Sequence, residues 1–312
     1  MINHDLLQEE ISKLYRIILL REPDRNGLKH WKHQIFSENE TLESLKEKLV
    51  NSEEAIIVNN FINGYTVTHD KIKLYLNNKD NFLSRDIAFH KVWEPEITKL
   101  VKEIIKKDQI VIDVGANIGY FSTLFSKLVG TTGKVYAFEP APINFEILQR
   151  NILVNNLKNV LIHQTAASNV SDIQDLYLST WNFGDNRLFE KPRDERDLER
   201  EKIQVDTIRL DEIIQDKINL IKIDVQGFEW QVIDGAKKLI DNNNDIKIIF
   251  EFTPQLLKLN GVKPEDLLYS LLEMNFNIYD IGSGNNLINY DIANICKRYS
   301  SCSSLDLLCE KQ

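Results

Sequence analysis

Cysteine is scarce in this 312-residue chain: Cys296, Cys302 and Cys309 are the only three. They are odd in number, crowd the C-terminus and match no zinc-ligand spacing, so a structural zinc site is not expected. They read as reduced thiols, which makes the cytoplasm the expected location. Long apolar runs are also lacking. No stretch approaches the roughly 18 uncharged apolar residues that a membrane span needs. Met1 to Leu20 alternates charged with apolar residues and reads as an amphipathic helix, not a signal peptide. Positive charge is in deficit, since 38 Lys and Arg face 47 Asp and Glu for a formal net charge of −9. That balance disfavours nucleic acid as a partner, which needs cations along a phosphate backbone. Internal repeats and low-complexity tracts are absent, and the length suits one large or two modest cores.

The first 70 residues carry helical periodicity. Leu7, Ile11, Leu14, Tyr15 and Ile18 form one apolar stripe. Arg21-Glu22-Pro23-Asp24-Arg25-Asn26-Gly27 supplies a turn. Trp31 and Ile35 give a second helix its apolar side, and Leu42, Leu45 and Leu49 a third. Asn51-Ser52-Glu53-Glu54 has the composition of an N-cap followed by an acidic first turn. Residues 1–70 thus read as an all-helical accessory module without a chemical constellation, and residues 71–312 as the main domain.

From about residue 85, short apolar runs alternate with helical segments, the pattern of a parallel sheet wrapped by helices. Strands are expected over Gln109–Val114, Lys134–Glu139, Val160–His163, Leu176–Leu178, Ile203–Val205, Leu220–Val225 and Ile246–Phe252. Helices are expected over Gly119–Leu128, Ile143–Val154, Phe228–Ile240 and Pro264–Glu273. Asn277–Asp280 and Leu305–Cys309 would complete the sheet as a hairpin-like pair. Thr180 to Glu201 is irregular and charged, and a loop that long inside a compact domain is usually functional or disordered.

The sharpest local signal is Val111-Ile112-Asp113-Val114-Gly115-Ala116-Asn117-Ile118-Gly119-Tyr120, an apolar strand, a glycine-bearing turn and a helix start. Such a turn lets backbone amides approach a ligand closely. Glu139, 20 residues beyond Gly119, ends the next strand, where a carboxylate can accept from both ribose hydroxyls of an adenosine. A dinucleotide site wants glycine at the middle position of the turn, but Asn117 stands there. Asp113 at the mouth of the turn would repel a pyrophosphate and attract an ammonium and a sulfonium. The frame therefore favours S-adenosyl-L-methionine over NAD. A glycine turn without any cofactor, and a solvated Glu139, are the plain alternatives.

With these residues in place, the chain resembles the FkbM-type methyltransferases over roughly residues 85 to 255. Asp113-Val-Gly-Ala-Asn-Ile-Gly-Tyr-Phe-Ser122 resembles the family's first motif, and Phe138-Glu139-Pro140 with Asn144 and Asn151 its second. Thr165-Ala166-Ala167-Ser168 is similar to the stretch flanking the adenine. Leu210-Asp211, Lys222-Ile-Asp224-Val-Gln226-Gly227-Phe-Glu229 and Ile249-Phe250-Glu251 resemble the later motifs. The resemblance implies a Rossmann-like class I methyltransferase sheet with flanking helices, preceded here by the helical module. It implies S-adenosyl-L-methionine as cofactor and O-methylation of a sugar or a polyketide-type hydroxyl. One departure stands out: Gln226 occupies the place of a glutamate, keeping its size but not its charge, which counts against position 226 as a base or metal ligand and leaves Asp224 and Glu229 as the acidic candidates. Tyr15-Arg16, Arg21-Glu-Pro23-Asp24, Gly27 and Trp31 are similar to a small helical domain found with bacterial surface-glycan enzymes. This tilts the acceptor towards a sugar or glycan precursor. A glycan-assembly enzyme or a second copy of the chain are the partners this module suggests.

Methyl transfer demands alignment, water exclusion and a proton acceptor. Asp224 is the candidate for orienting the acceptor and taking its proton, against an Asp that merely fixes the following loop. Lys222, two residues earlier and on the same face, would contact the acceptor or Asp224. Glu251 ends a neighbouring strand and could bind an acceptor hydroxyl. The cofactor set comprises Glu94, Asp113, Gly115, Asn117, Gly119, Tyr120, Glu139, Pro140, Asn144 and Ala166, with Glu94 reaching towards the methionine end. Trp181, Asp185 and Arg187 in the irregular segment are the candidate acceptor contacts, suited to stacking on a sugar and hydrogen-bonding its hydroxyls. His163 reads as structural, and Glu229 as a complement to a helix dipole. No spacing demands a metal. A small lipid-like or polyketide-like acceptor, a non-catalytic scaffold and an NAD-dependent oxidoreductase are the competing readings.

Overall fold

Polar caps set the helix starts of the N-terminal unit. A computed structural model describes residues 4–37, 39–190, 192, 200–282, 292 and 304–311. Helix α1 spans His4–Leu19, α2 Arg25–Phe36, α3 Leu42–Val50 and α4 Glu53–Ile62. The Asp24 side chain accepts from the Asn26 and Gly27 amides at 3.0 and 2.9 Å, so α2 starts earlier than the Pro–Gly turn suggests and takes Gly27 into its first turn. Thr41 and Ser44 form a capping box on α3, and Ser52 caps α4 through the Ala55 amide at 3.1 Å. Leu7, Ile11, Tyr15 and Leu19 pack on Leu45, Leu49 and Ala55 as a separate small core, with Leu14 and Ile18 at its margin. Phe61 near the end of α4 instead joins the next core, among Ile72, Leu74 and Ile87.

A short antiparallel ribbon follows, β1 (Tyr65–Val67) against β2 (Lys73–Tyr75), which the apolar pattern did not reveal. Helices α5 (Leu83–His90) and α6 (Pro95–Ile104) lead into the main alternation. It runs β3 (Ile110–Val114), α7 (Tyr120–Val129), β4 (Lys134–Phe138), α8 (Pro142–Val154) and β5 (Val160–His163). After β6 (Ala166–Ala167), β7 (Asp172–Ser179), β8 (Arg200–Ile208) and α9 (Leu210–Ile213) come β9 (Leu220–Ile223), α10 (Glu229–Gly235) and α11 (Lys237–Asp241). The described chain continues through β10 (Lys247–Phe252), α12 (Pro254–Leu259), α13 (Pro264–Glu273), β11 (Phe276–Asp280) and β12 (Leu305–Lys311).

Among the described residues the main sheet has seven strands in the order β11-β12-β10-β9-β3-β4-β5. The pairs from β10 through β5 are parallel, and β12 lies antiparallel between β10 and β11. The expected C-terminal pair thus forms, with its second strand inserted towards the centre. From β3 the chain steps outward to β5 and later returns to β9 on the other side of β3. That reversal makes a switch point between β3 and β9, where a crevice opens at the carboxyl ends of the strands. Apolar residues cover both faces, as a parallel sheet requires. Val111, Phe125, Val135 and Ile249 pack on the side of α6 and α7, while Ile112, Ile221, Phe250 and Leu268 pack on the side of α10, α11 and α13.

The strands expected at Leu176–Leu178 and Ile203–Val205 are the middles of β7 and β8. They pair antiparallel with each other in a second, three-stranded sheet of order β6-β8-β7. Residues 180–190 of the irregular segment therefore lie at the tip of this hairpin, and Arg200 and Glu201 belong to β8 itself. The single helix expected over Phe228–Ile240 is two, broken at Ala236. A Cβ on Gly235 would stand 1.9 Å from the Ser168 carbonyl oxygen, so α10 ends pressed against the loop after β6. Cys309 is buried in β12, and burial pushes its thiol pKa up. Cys296 and Cys302 lie outside the described residues. No helix among the described residues is long and apolar enough to cross a membrane.

Candidate active site

The turn after β3 is shaped by close contact with β9. Gly115 has φ +80°, and a Cβ there would sit 1.9 Å from the Asp224 carbonyl oxygen, so only glycine lets the two strand ends approach. Asn117 also has positive φ, a conformation asparagine tolerates, which is how the turn closes without a middle glycine. Its backbone N–H donates to Glu139 Oε2 at 2.8 Å, and the Ala141 N–H donates to Oε1 at 2.9 Å. Strands β3 and β4 are adjacent, with Val114 opposite Phe138, which brings the glycine turn and Glu139 together. Burial raises the Glu139 pKa to about 7 against the pull of these two amides.

The turn opens onto a cavity of about 310 Å³. Asp113, Gly115, Asn117, Tyr120, Glu139, Pro140, Asn144 and Ala166 of the expected cofactor set line it, as does Glu94. Gly119 does not. It starts α7 at φ +86°, and a Cβ there would come within 2.5 Å of Leu148 Cδ1, so it serves helix packing. Asp113 is 1 % exposed; Ser122 Oγ donates to its Oδ2, while Oδ1 has no hydrogen-bond partner. Glu94 Oε2, Asn144 Oδ1 and Thr165 Oγ1 are likewise buried without a hydrogen-bond partner, although Glu94 Oε2 lies within ion-pair reach of Lys222. Buried polar atoms are rarely left unpaired, and orphaned acceptors around one cavity fit a polar, partly cationic ligand. Burial raises the Asp113 pKa despite Lys222 and Ser122, and raises that of Glu94 to about 8 despite Lys222.

Lys222, Asp224, Gln226 and Glu251 also line the cavity, as do the apolar side chains of Phe82, Leu83 and Trp93. Lys222 Nζ is 3.5 Å from Asp224 Oδ2, 4.0 Å from Glu94 Oε2 and 4.5 Å from the centre of the Phe121 ring. Burial works against its charge, but Asp224, Glu94, Asp113 and Asp306 outweigh that and hold its pKa above the usual lysine range. Glu251 is raised to about 8 by burial and by Asp224. Asp306, carried by β12 opposite Glu251, is raised to about 6 by burial. Nothing in its local sequence singles Asp306 out; only the insertion of β12 beside β10 brings it here.

The hairpin tip contributes to the cavity through Asn182, Phe183, Gly184, Asn186 and Leu188. The expected contacts from this segment sit elsewhere. Asp185 and Arg187 are each 1 % exposed and form a two-bond ion pair, both contacts at 2.7 Å, with Arg200 adding a 3.0 Å contact to Asp185. Neither lines the cavity. Trp181 does not line it either, but packs edge-on against Phe82, which does. The amide of Asn144 ties the tip to α8 through the Phe183 carbonyl at 2.9 Å. His163 stacks on Phe138 at 4.7 Å between ring centres, and burial lowers its pKa. Glu229 is fully buried, accepts from the Gly227 amide at 3.0 Å and is raised to about 7 by burial. Among the described residues no three His, Cys, Asp or Glu are grouped as metal ligands.

A central β3–β9 switch point, a glycine turn and an acid at the end of β4 define a Rossmann-like class I methyltransferase. Residues 113–278 match the Methyltransferase FkbM domain, and the chain belongs to that family of S-adenosyl-L-methionine-dependent methyltransferases. It is 30% identical over 157 residues to Methyltransferase 1 of Beauveria bassiana, across 43% of this chain and 63% of that protein, less than two thirds of its length. It is 25% identical over 184 residues to Hexuronic acid methyltransferase AglP of Haloferax volcanii, across 58% of this chain and 68% of that protein. The solved structure of Methyltransferase FkbM from Methylobacillus flagellatus KT aligns with 84% of this chain and 60% of its own, at 16% identity and a TM-score of 0.38.

Proposed function

We propose that the chain transfers a methyl group from S-adenosyl-L-methionine to a hydroxyl of a sugar or glycan precursor. The observation that carries this is one cavity that gathers the glycine turn, Glu139 and a cluster of buried charged groups, Asp113, Glu94, Lys222, Asp224 and Glu251. Glu139 suits the ribose hydroxyls, and Asp113, whose Oδ1 has no hydrogen-bond partner, suits the ammonium, with Glu94 on the same cavity and 4.0 Å from Lys222. Asp224, Glu251 and Lys222 line the same cavity, a set suited to hold a hydroxyl and take its proton. The cofactor supplies an activated methyl group. The chain's own residues align the acceptor oxygen, exclude water and receive the proton on a carboxylate. Among the described residues of the hairpin tip, Asn182 and Asn186, and not Asp185 or Arg187, are the polar side chains that line the cavity. A relative named for hexuronic acid methylation supports a sugar acceptor. The apolar walls formed by Phe82, Trp93 and Leu176 favour a second reading, a hydroxyl on a lipid-like or polyketide-like skeleton.

We further assign residues 1–70 to an accessory module, supported by the separate small core of α1 to α4, and propose a glycan-assembly enzyme or a second copy of the chain as its partner. A free, buried Cys309 agrees with a reducing compartment, and we place the protein in the cytoplasm. Calorimetric titration with S-adenosylhomocysteine, with Glu139→Ala as control, tests the cofactor assignment. Saturable binding that weakens at least tenfold in the variant is expected, about 1.4 kcal/mol. A well-folded native protein that does not bind refutes it. A screen of neutral sugars, uronic acids and apolar alcohols with radiolabelled methyl donor then separates the two acceptor readings.

A further inference from the structure

Gln226 stands where its neighbours are acidic, and its side chain makes two contacts. Nε2 donates to Asp224 Oδ1 at 2.9 Å and to Glu251 Oε2 at 2.8 Å. The partners dictate which end of the amide faces them, because its carbonyl oxygen would be a third acceptor among acceptors, whereas the NH2 group has one hydrogen for each. The backbone makes the contact available. Gln226 at φ 51° and Gly227 at φ 95° are both left-handed, so the chain turns sharply after β9 and a side chain two residues past Asp224 folds back over it.

The bridged carboxylates sit in a crowded field. Asp224 meets Lys222 through its other oxygen, and Glu251 accepts from Ser304. Facing the pair are Lys222 on β9, Glu229 at the start of α10, Asp306 on β12, Glu94 before α6 and Asp113 on β3. Carboxylates outnumber the ammonium here, and burial already drives Glu251 towards its neutral form. Two carboxylates left side by side relieve their repulsion by moving apart or by taking a proton. A shared donor between them opposes both outcomes at once.

We infer that Gln226 is a positioning residue whose amide ties Asp224 and Glu251 into one acceptor-facing unit and favours the ionised form of Glu251. The inference concerns the proposed acceptor-binding groups of the methyltransferase site and rests on that reading for its catalytic meaning. The bridge itself can be tested without an acceptor. With glutamate labelled by 13C at the side-chain carboxyl, the Glu251 resonance is identified by its loss in Glu251→Gln and followed by NMR from pH 4 to 10. Gln226→Met keeps the length and removes both hydrogen bonds, so the Glu251 midpoint should rise by about one unit, a tenfold change in protonation. Gln226→Glu replaces the donor with a third carboxylate and should raise it further. A midpoint within about 0.3 unit of the native value in both variants overturns the inference. S-adenosylhomocysteine titration of each protein keeps the two questions apart. A native protein that fails to bind the nucleoside defeats the methyltransferase reading, whereas a Glu251 midpoint that does not move defeats the bridge.

Discussion

Cofactor binding should release protons, and Glu139 provides the measure. Its carboxylate is buried, held by the Asn117 and Ala141 amides, and raised to about 7. Ribose hydroxyls donate hydrogen bonds, so they favour the ionised form and bind best when Glu139 has lost its proton. At pH 6 a group of pKa about 7 is roughly nine-tenths protonated, and at pH 8 about one-tenth. Affinity for S-adenosylhomocysteine should therefore rise about tenfold from pH 6 to pH 8 on account of Glu139, some 1.4 kcal/mol. Glu94, raised to about 8 and facing the same cavity, adds to the native slope. The variant comparison is what isolates Glu139. In Glu139→Gln the side chain no longer titrates, and one of its N–H groups opposes a backbone N–H, so binding weakens at every pH while the slope loses its tenfold share. Calorimetry at pH 6, 7 and 8, in buffers of different ionisation enthalpy, reads both affinity and proton release. A native affinity that does not change between pH 6 and 8, or a slope equally steep in Glu139→Gln, refutes the reasoning.

Two further outcomes concern stability. Glu229 is fully buried with a folded pKa of about 7, so between the ordinary carboxyl range near pH 4.5 and pH 7 the folded state binds more protons than the unfolded one. Stability should fall as pH rises through that window, and the Glu229→Gln variant should gain about 2–3 kcal/mol relative to native between pH 5 and pH 8 in urea unfolding. A gain below about 1 kcal/mol contradicts the assigned burial cost. Asp185→Ala leaves Arg187 and Arg200 without their shared buried carboxylate, so it should destabilise the protein by about 3–5 kcal/mol and speed proteolysis of the β7–β8 hairpin. An unchanged unfolding midpoint would return Asp185 to the acceptor contacts.

Local chemistry was legible along the chain wherever a short stretch is sufficient for its own conformation. Strand, glycine turn and helix from Val111 to Tyr120 form as read, because apolar run, positive-φ positions and helix start are neighbours in sequence. The helix over Pro264–Glu273 begins and ends as its proline and apolar spacing imply. The interval from the turn to Glu139 was informative because consecutive parallel strands lie side by side. Beyond the C-terminal pair of β11 and β12, pairing across the fold was not legible. The sequence showed strands at Leu176 and Ile203, but only tertiary structure placed them together in a second sheet and set the hairpin tip on the cavity. A charged loop does not announce which side chains turn inward. Asp185 and Arg187 pair in the interior, while uncharged Asn182 and Asn186 line the cavity. Asp306 joins the carboxylates through the antiparallel insertion of β12, and Gln226 acquires its part through a left-handed turn that folds it onto two acids from different strands. Residue type and local order are properties of the chain, whereas burial, partner and protonation arise only when distant segments share one low-dielectric space.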